Sequence, residues 1–172
     1  MDLTFTAEEI AFREEVRVFL RENLPPQRIP GLHEGEGGGL GESIAFRKKV
    51  ADRGWLRLGW PEQYGGVAVT PVQQFLYAYE FSYHHAMAST FATQVVAPGL
   101  LHYGNEEQRQ RFLPAIGRGE LEFCLGYTEP GAGSDLASLQ TRAVRDCDDY
   151  VITGQKLYTS NAQYAEWCWL AA

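Results

Sequence analysis

Two short segments rich in glycine and hydroxyl side chains could hold a flat ligand that carries phosphate. The first segment covers residues 127–135 (YTEPGAGSD), and the second segment covers residues 154–161 (GQKLYTSN). Glycine lets a ligand approach the backbone closely, and backbone N–H groups and hydroxyls in tight turns can donate hydrogen bonds to phosphate. Each segment follows a run of strand-forming residues. We therefore predict that the two segments together form a cofactor site.

A dinucleotide-binding loop and a plain β-turn both fit the first segment less well. A dinucleotide fingerprint needs a third glycine or alanine where this chain has Leu136, and it needs a helix after the turn, whereas the pattern here is strand, turn, strand. The dipeptide Pro130-Gly131 alone is typical of an ordinary β-turn. The second segment at a matching distance, with helical sequence upstream, favours a cofactor site over a plain turn.

Five segments, taken in their order and spacing, point to one protein family. They are residues 60–66 (WPEQYGG), 104–108 (GNEEQ), 129–135 (EPGAGSD), 150–156 (YVITGQK) and 167–169 (WCW). The first two resemble the helical N-terminal domain of acyl-CoA dehydrogenases, and the last three resemble the start of that family's middle domain. The resemblance covers nearly the whole chain and implies a flavoenzyme that binds FAD.

The resemblance also implies which residues meet the cofactor. Thr128 is expected to bond the edge of the flavin ring, Ser134 to meet both the flavin and the acyl-CoA, and Tyr158 and Ser160 to flank the ring near N5. The family usually has Trp where Tyr158 stands and often Thr where Ser160 stands, so an aromatic ring and a short hydroxyl are retained. The full implied cofactor-binding set is Leu125, Tyr127, Thr128, Gly133, Ser134, Tyr158, Thr159 and Ser160.

By the same resemblance, the complete enzyme α,β-desaturates an acyl-CoA thioester. A base removes the α-proton, a hydride passes from the β-carbon to flavin N5, and a carrier resembling electron-transferring flavoprotein reoxidises the cofactor. The family's base is a carboxylate in a C-terminal helical domain expected beyond this chain, so no catalytic residue is assigned. Glu129 precedes a proline in a turn, and nothing in the sequence brings it to the same substrate atom as Asp135.

The resemblance leaves the class of reaction and the assembly open. A related flavin-dependent oxidase or monooxygenase would share this architecture, and so would a non-catalytic subunit of a heteromeric acyl-CoA dehydrogenase. Members of the family form homotetramers, dimers or heteromers, so a homo- or hetero-oligomer is expected.

Composition limits the other partners. The chain has a formal net charge of −7 and a pI near 5.1, and its 15 Lys and Arg residues are scattered, so nucleic acid is not expected. The cysteines, at positions 124, 147 and 168, form no CxxC pair, which indicates reduced thiols and neither a disulfide framework nor a metal site. No stretch approaches the ~18 apolar residues of a membrane span, and the N-terminus resembles no targeting segment. A cytoplasmic protein is expected.

Helical patterns dominate the first part of the chain. Thr6 and Glu9 have the spacing of a capping box and begin a predicted helix over residues 7–23. Thr70 and Gln73 repeat that spacing around a proline, and they begin a helix that is expected to continue to about residue 86.

Three more helices and one loop complete the helical part. A helix is predicted over residues 43–53, and another begins after the capping residue Asn105. Residues 88–103 are small and apolar almost all round, which predicts a buried central helix. The glycine-rich residues 28–41 are predicted to be a loop without a function.

Near residue 117 the period of the pattern changes from that of a helix to that of a strand. Antiparallel strands are predicted at residues 121–127, 137–145, 149–153 and 166–171. The pattern therefore predicts an α+β fold, with helices over residues 1–120 and strands over residues 121–172. The resemblance implies that these are the all-α N-terminal domain and the first strands of the β-barrel-like middle domain of an acyl-CoA dehydrogenase-like fold. The last strand has no turn or polar tail after it, so a longer polypeptide or a second encoded part is expected.

A hairpin turn is predicted at residues 146–149. The family favours glycine where Cys147 stands, so a left-handed backbone at this position would carry a small strain.

Overall fold

The computed structural model of the chain describes residues 4–24, 39–86, 88 and 90–172. It forms two compact units, of which the first comprises Met1–Ser89 and Asn105–Glu120 and the second comprises Thr90–Gly104 and Leu121–Ala172. The first unit is helical, and the second combines a helical segment with two small sheets. The two units are compact groups of residues, and they do not coincide with a division into helices and strands. The domain boundary at residue 120 stays a prediction.

The helices of the first unit for which the sequence predicts a cap begin at that cap. Thr6 Oγ1 accepts a hydrogen bond from Glu9 N at 3.2 Å, and Glu9 Oε2 accepts one from Thr6 N at 2.8 Å, so the capping box is confirmed. Thr70 with Gln73 and Asn105 with Gln108 form the same arrangement. The α-helices of the described chain are α1 (Ala7–Asn23), α2 (Gly39–Asp52), α3 (Pro71–Tyr83), α4 (Ala97–Tyr103) and α5 (Glu106–Gly117), and of these only α4 lies in the second unit.

Two boundaries differ from the sequence-based expectation. Residues 39–41, predicted as loop, belong to α2, while residues 28–38 of that predicted loop lie outside the described part of the chain. Helix α3 ends at Tyr83 and not near residue 86, because His84 caps it and His85 has a left-handed backbone with φ of 51°.

An aromatic cluster forms the core of the first unit. The Trp55 ring meets Phe19 edge-on with 4.9 Å between centroids, and it meets Tyr77 at 5.8 Å and Phe81 at 6.3 Å. Burying a large apolar side chain of this kind stabilises a fold by about 1.5–3 kcal/mol. Aromatic packing therefore joins α1, α3 and the short turn at Trp55–Arg57.

A buried carboxylate also joins α1 to α3. The Glu80 side chain is 1% exposed and contacts Arg17 Nη2 at 3.1 Å and Arg13 Nε at 2.5 Å. Burial opposes ionisation of this carboxyl, but the hydrogen bonds from Arg13 and Arg17 outweigh it, so the pKa of Glu80 lies below its ordinary value. The side chain is thus held as a charged contact between two helices.

A buried central helix is predicted over residues 88–103, and the part of this segment that lies in the second unit, residues 90–103, is helical but neither regular nor buried throughout. The segment contains a π-helical turn at Ala92–Val96, which continues directly into α4. Val96 and Leu100 are buried, whereas Tyr103 is 92% exposed. Because alanine and glycine carry little hydrophobic signal, the sequence pattern did not distinguish the inward face of this segment from its outward face.

The strands of the second unit form two separate pairs, and one pair corrects a prediction. They are β1 (Phe123–Gly126), β2 (Arg142–Asp146), β3 (Asp149–Thr153) and β4 (Trp167–Leu170). Strands β2 and β3 are antiparallel, as predicted, but β1 and β4 are parallel. The long connection that contains the hairpin returns the chain to the end of the sheet at which β1 begins. A parallel pair requires such a return.

The β2–β3 hairpin confirms the predicted turn. Asp146 pairs with Asp149, so Cys147 and Asp148 form the turn, and Cys147 has a left-handed φ of 55°. Strand β2 begins later than predicted because Leu136–Ser138 form a 3₁₀ turn.

Among the described residues, no helix combines the length and the apolar character needed to cross a bilayer.

Candidate cofactor site

The first segment opens with a tight turn. Glu129 N donates a hydrogen bond to Ala132 O at 2.8 Å, and Ala132 N donates one back to Glu129 O at 3.2 Å. Pro130 and Gly131 lie at the tip of this turn, where the fixed φ of proline suits the first central position. The turn leaves the Glu129 side chain on the inside, where the residue is 7% exposed.

The Glu129 carboxylate binds the chain around it. Its Oε2 accepts a hydrogen bond from Gln140 N at 2.6 Å, and its Oε1 accepts bonds from Thr141 N at 2.9 Å and Lys156 Nζ at 2.8 Å. The Lys156 ammonium and these backbone N–H groups lower the pKa of Glu129 to about 2. A carboxylate held this way is a poor general base.

Lys156 brings the two segments together. Its Nζ also donates a hydrogen bond to Tyr127 O at 3.0 Å, and the next residue, Leu157, donates its N–H to Thr128 O at 2.8 Å. The Lys156 side chain is only 11% exposed. The predicted proximity of the two segments is therefore present, and a buried ion pair together with a backbone hydrogen bond maintains it.

The glycines of the first segment lie beside open space. A Cβ added to Gly131 or Gly133 would meet no atom within 4 Å, whereas one added to Gly126 would lie 2.9 Å from Cys168 Sγ. Neither Gly131 nor Gly133 has a positive φ. Neither backbone conformation nor internal packing therefore accounts for these two glycines, but the close approach of a ligand would.

The second segment presents an exposed aromatic ring on a strained backbone. Tyr158 is 87% exposed and has a left-handed φ of 53°, and Asn161 has a φ of 65°. A left-handed backbone is costly for a residue with a side chain, at about 1–2 kcal/mol. Such strain and exposure are typical of a site that meets a ligand, because neither helps the chain to pack.

The other residues of the implied set lie around this junction. Leu125 is half-buried on β1 opposite Trp169, and it is followed by the half-buried Tyr127 and Thr128. In the second segment Thr159 is half-buried and accepts a hydrogen bond from Ala162 N at 3.2 Å through its carbonyl oxygen. The exposed hydroxyl residues are Ser134 and Ser160. Their roles toward a cofactor stay predictions.

The residues that hold the site together were not predicted from the sequence. From the sequence, Glu129 is a candidate only for a base, and Lys156 is only a member of the resembling motif. One signal was available: the two segments expected to meet carry opposite charges, and each charge adjoins a turn. The backbone donors at Gln140 and Thr141 had no comparable signal, because their approach depends on how the intervening chain folds.

Sequence comparison identifies both parts of the chain. Residues 6–120 match "Acyl-CoA dehydrogenase, N-terminal domain", and residues 124–172 match "Acyl-CoA dehydrogenase, middle domain". The chain is 41% identical over 174 residues to acyl-CoA dehydrogenase FadE26 of Mycobacterium tuberculosis, in an alignment that covers 99% of this chain and 43% of the relative.

Solved structures agree with this match. The ChsE4-ChsE5 complex from Mycobacterium tuberculosis has a TM-score of 0.87 and 39% identity, with coverage of 100% of this chain and 44% of that chain. The Tcur3481-Tcur3483 steroid ACAD has a TM-score of 0.87 and 40% identity, with the same coverage. An acyl-CoA dehydrogenase from Bacillus anthracis complexed with FAD has a TM-score of 0.69 and 28% identity, covering 94% of this chain and 28% of that chain.

Architecture and relatives together define the class: a helical N-terminal domain followed by the start of a middle β domain, as the α+β prediction stated. The chain belongs to the acyl-CoA dehydrogenase family, whose named relatives are oxidoreductases. It spans less than half the length of these relatives.

Proposed function

We propose that this chain contributes the helical domain and the flavin-edge segments of an FAD-dependent acyl-CoA dehydrogenase. The observation that carries the proposal is the junction of the two segments, where Lys156 and Leu157 hold the first segment against the second beside two glycines that face open space. The relative from Bacillus anthracis that is complexed with FAD supports the choice of cofactor.

The residues at the junction fit the needs of FAD. The Thr128 hydroxyl and the backbone N–H groups around Gly133 and Ser134 can donate to flavin oxygens or phosphate, and the exposed Tyr158 ring offers a flat contact. When bound, FAD supplies an N5 atom that accepts a hydride. The chain's own contribution is to orient the ring and exclude water from one side of it, while the Glu129–Lys156 pair keeps the two segments in place.

The proposed substrate is an acyl-CoA thioester, with Ser134 as the residue that meets it. One structural relative is described as a steroid ACAD, so a ring-bearing acyl group is a specific form of this proposal. Electrons would leave to a carrier resembling electron-transferring flavoprotein.

A second form of the function is supported by the same relatives. Two of the similar structures pair two differently named chains, ChsE4 with ChsE5 and Tcur3481 with Tcur3483. In this form the chain belongs to a heteromeric enzyme in which it is a non-catalytic subunit. Copurification of a second dehydrogenase-like chain, with turnover by the pair and by neither chain alone, would establish that form.

A direct test uses the tagged protein purified with its natural companions. We expect a yellow preparation that releases FAD on denaturation and reduces an artificial electron acceptor when an acyl-CoA is added. A preparation that is colourless, and that stays colourless after FAD is supplied, would refute the proposal. Fast reaction of the reduced flavin with oxygen would instead assign the related oxidase or monooxygenase.

Variants of the same preparation locate the site. Gly133→Val should lower FAD affinity at least about tenfold, because the added side chain occupies the space left for the ligand. Tyr158→Ala should weaken binding less, because it removes one ring contact. Ala137→Val and Tyr150→Ala are the matched controls, since both replace exposed residues outside the implied set. Unchanged FAD binding in Gly133→Val and Tyr158→Ala would place the flavin elsewhere.

A further inference from the structure

Two of the cysteines lie side by side on neighbouring strands. Cys124 on β1 is the register partner of Cys168 on β4. In a parallel pair, register partners project to the same face of the sheet, and neighbouring strands lie about 4.7–4.9 Å apart, within the Cα separation that a disulfide spans. Both residues are reduced in the structure, and Cys124 is buried whereas Cys168 is exposed.

The packing around Gly126 shows on which face of the sheet the Cys168 sulfur lies. Burial, and next the neighbouring Cys124 thiol, raise the pKa of the Cys168 thiol above its ordinary value. Glycine at position 126 makes room for the arrangement, because a Cβ there would lie 2.9 Å from Cys168 Sγ. The sulfur of Cys168 therefore occupies space on the face that Cys124 and Gly126 share.

We propose that Cys124 and Cys168 form a peroxide-sensitive thiol pair that closes to a disulfide between β1 and β4. Cys168 is the thiol that peroxide reaches, because it is exposed, and Cys124 is the resolving thiol beneath it. The bond would fix β1 covalently to β4 immediately before the first segment. This inference concerns redox chemistry of the chain and does not depend on the proposed flavin site.

The reaction is balanced with hydrogen peroxide as the oxidant. The Cys168 thiolate attacks one peroxide oxygen, the O–O bond breaks, and a sulfenic acid and hydroxide form. The Cys124 sulfur then attacks the sulfenic sulfur, an S–S bond forms, and the hydroxyl leaves with the Cys124 proton as water. The proton first released by Cys168 neutralises the hydroxide, so two thiols become one disulfide and one peroxide becomes two waters.

The raised pKa of Cys168 limits the rate of the first step. A small thiolate fraction near neutral pH slows the attack of Cys168 on peroxide. The fold determines which cysteine forms the disulfide with Cys168. The pair acts as a slow structural link under sustained peroxide, not as a rapid sensor.

The third cysteine, Cys147, provides an internal control for the choice of disulfide partner. Of the three possible cysteine pairs, Cys124 and Cys168 are farthest apart in sequence. Loop-closure entropy therefore makes this pair the least favoured one in the unfolded chain. If the fold directs oxidation, the yield of the Cys124–Cys168 disulfide should exceed the yield of either disulfide with Cys147 by about tenfold. The reason is that only the fold raises the effective concentration of these two thiols.

The test is peroxide treatment of the 172-residue chain, followed by alkylation of the remaining thiols and mass spectrometry without reduction. We expect loss of two hydrogen atoms, a peptide that links Cys124 to Cys168, and reversal by dithiothreitol. Cys147→Ser should form the same link, whereas Cys168→Ala should not. In urea the pairing should shift toward Cys147. Circular dichroism of each variant checks that it is folded.

Two results would overturn the inference. One is alkylation of both Cys124 and Cys168 in the folded chain after sustained peroxide treatment, continued well beyond complete oxidation of Cys147. The other is a mixture of pairings in the folded chain that matches the mixture in urea, because the fold would then contribute nothing to the choice of partner.

Discussion

At the scale of single residues, the ion pair of Glu129 and Lys156 decides how the candidate site is built. The carboxylate accepts hydrogen bonds from two backbone N–H groups and from Lys156, so it stays ionised and its oxygens are occupied. The lysine also binds Tyr127 O. One buried pair thus connects the first segment, the second segment and the two residues that precede β2.

This pair predicts a loss of stability in acid. The folded pKa of Glu129 is about 2, below the value of about 4.3 for an unfolded glutamate. A lowered pKa stabilises the fold above the unfolded value, and that stabilisation is lost as the pH falls toward the folded value. We expect the melting temperature to fall between about pH 5 and pH 2, with a smaller fall in Glu129→Gln.

Thermal melts followed by circular dichroism across this pH range measure the effect. Glu129→Gln should also melt lower than the parent chain at neutral pH, because it removes the charge that Lys156 needs. Glu107→Gln is the control, because Glu107 is exposed in the first turn of α5, and its acid profile should match that of the parent. If the melting temperature falls with pH equally steeply in Glu129→Gln and in the parent, the Glu129 carboxyl is not the cause of the loss of stability in acid.

At the scale of elements, helix–helix and hairpin contacts depend on a few unfavourable conformations and buried charges. Glu80 is a charged residue at 1% exposure between α1 and α3, and Cys147 holds a left-handed backbone in the β2–β3 turn. Both are costly in isolation, and both persist because the neighbouring element requires them. Each leads to a measurable expectation.

Replacing the buried carboxylate should weaken the contact between α1 and α3. Glu80→Gln leaves Arg13 and Arg17 close together without their shared anion, so we expect a loss of about 1–3 kcal/mol in the free energy of unfolding. Urea denaturation measures it. Glu14→Gln is the matched control on the surface of α1, where an exposed pair is worth about 0–1 kcal/mol. Equal losses in both variants would mean that burial of Glu80 adds nothing.

Relieving the strained turn should stabilise the hairpin. Cys147→Gly removes the steric cost of a left-handed φ, and we expect a gain of about 1 kcal/mol in the free energy of unfolding. Asp148→Gly is the comparison, because φ at that neighbouring turn position is not positive, and it should be neutral or destabilising. A loss of stability in Cys147→Gly would indicate that the cysteine side chain itself supports the turn.

At the scale of the whole chain, apolar side chains of the hairpin face solvent. Val144, Val151 and Ile152 are each more than half exposed, on strands whose residues are all exposed. A two-stranded hairpin with exposed apolar residues and open edges tends to associate. The exposed apolar side chains therefore bear on whether the chain associates with itself when it is purified alone.

The exposed hairpin predicts self-association of the isolated chain. We expect the sedimentation coefficient to rise with concentration, because the edges of β2 and β3 can pair with another molecule. The double variant Val144→Lys and Val151→Lys should reduce that rise, since lysine on an exposed edge opposes pairing. Ile10→Lys changes an exposed apolar residue on α1 and serves as the control. A concentration-independent parent chain would contradict the prediction.

Local sequence predicted the parts of the fold that local interactions govern. The capping boxes at Thr6 and Thr70, the proline at the start of α3 and the two-residue turn at Cys147 each depend on neighbours within about four residues, so the sequence pattern sufficed. The family resemblance supplied the implied cofactor-binding set, and the structure places Thr128 beside Leu157. The roles of these residues toward FAD remain a proposal.

Tertiary structure decided what depends on residues far apart in sequence. The parallel pairing of β1 with β4, the burial of Glu80 against α1 and the contact of Glu129 with Lys156 all join distant positions, and one-dimensional periodicity holds no information about which distant positions meet. The same pairing places Cys124 beside Cys168, although the sequence alone indicated only three separate reduced thiols. Sequence by itself therefore determined the elements and the family, while folding in three dimensions decided which side chains meet and what charge and redox chemistry they acquire.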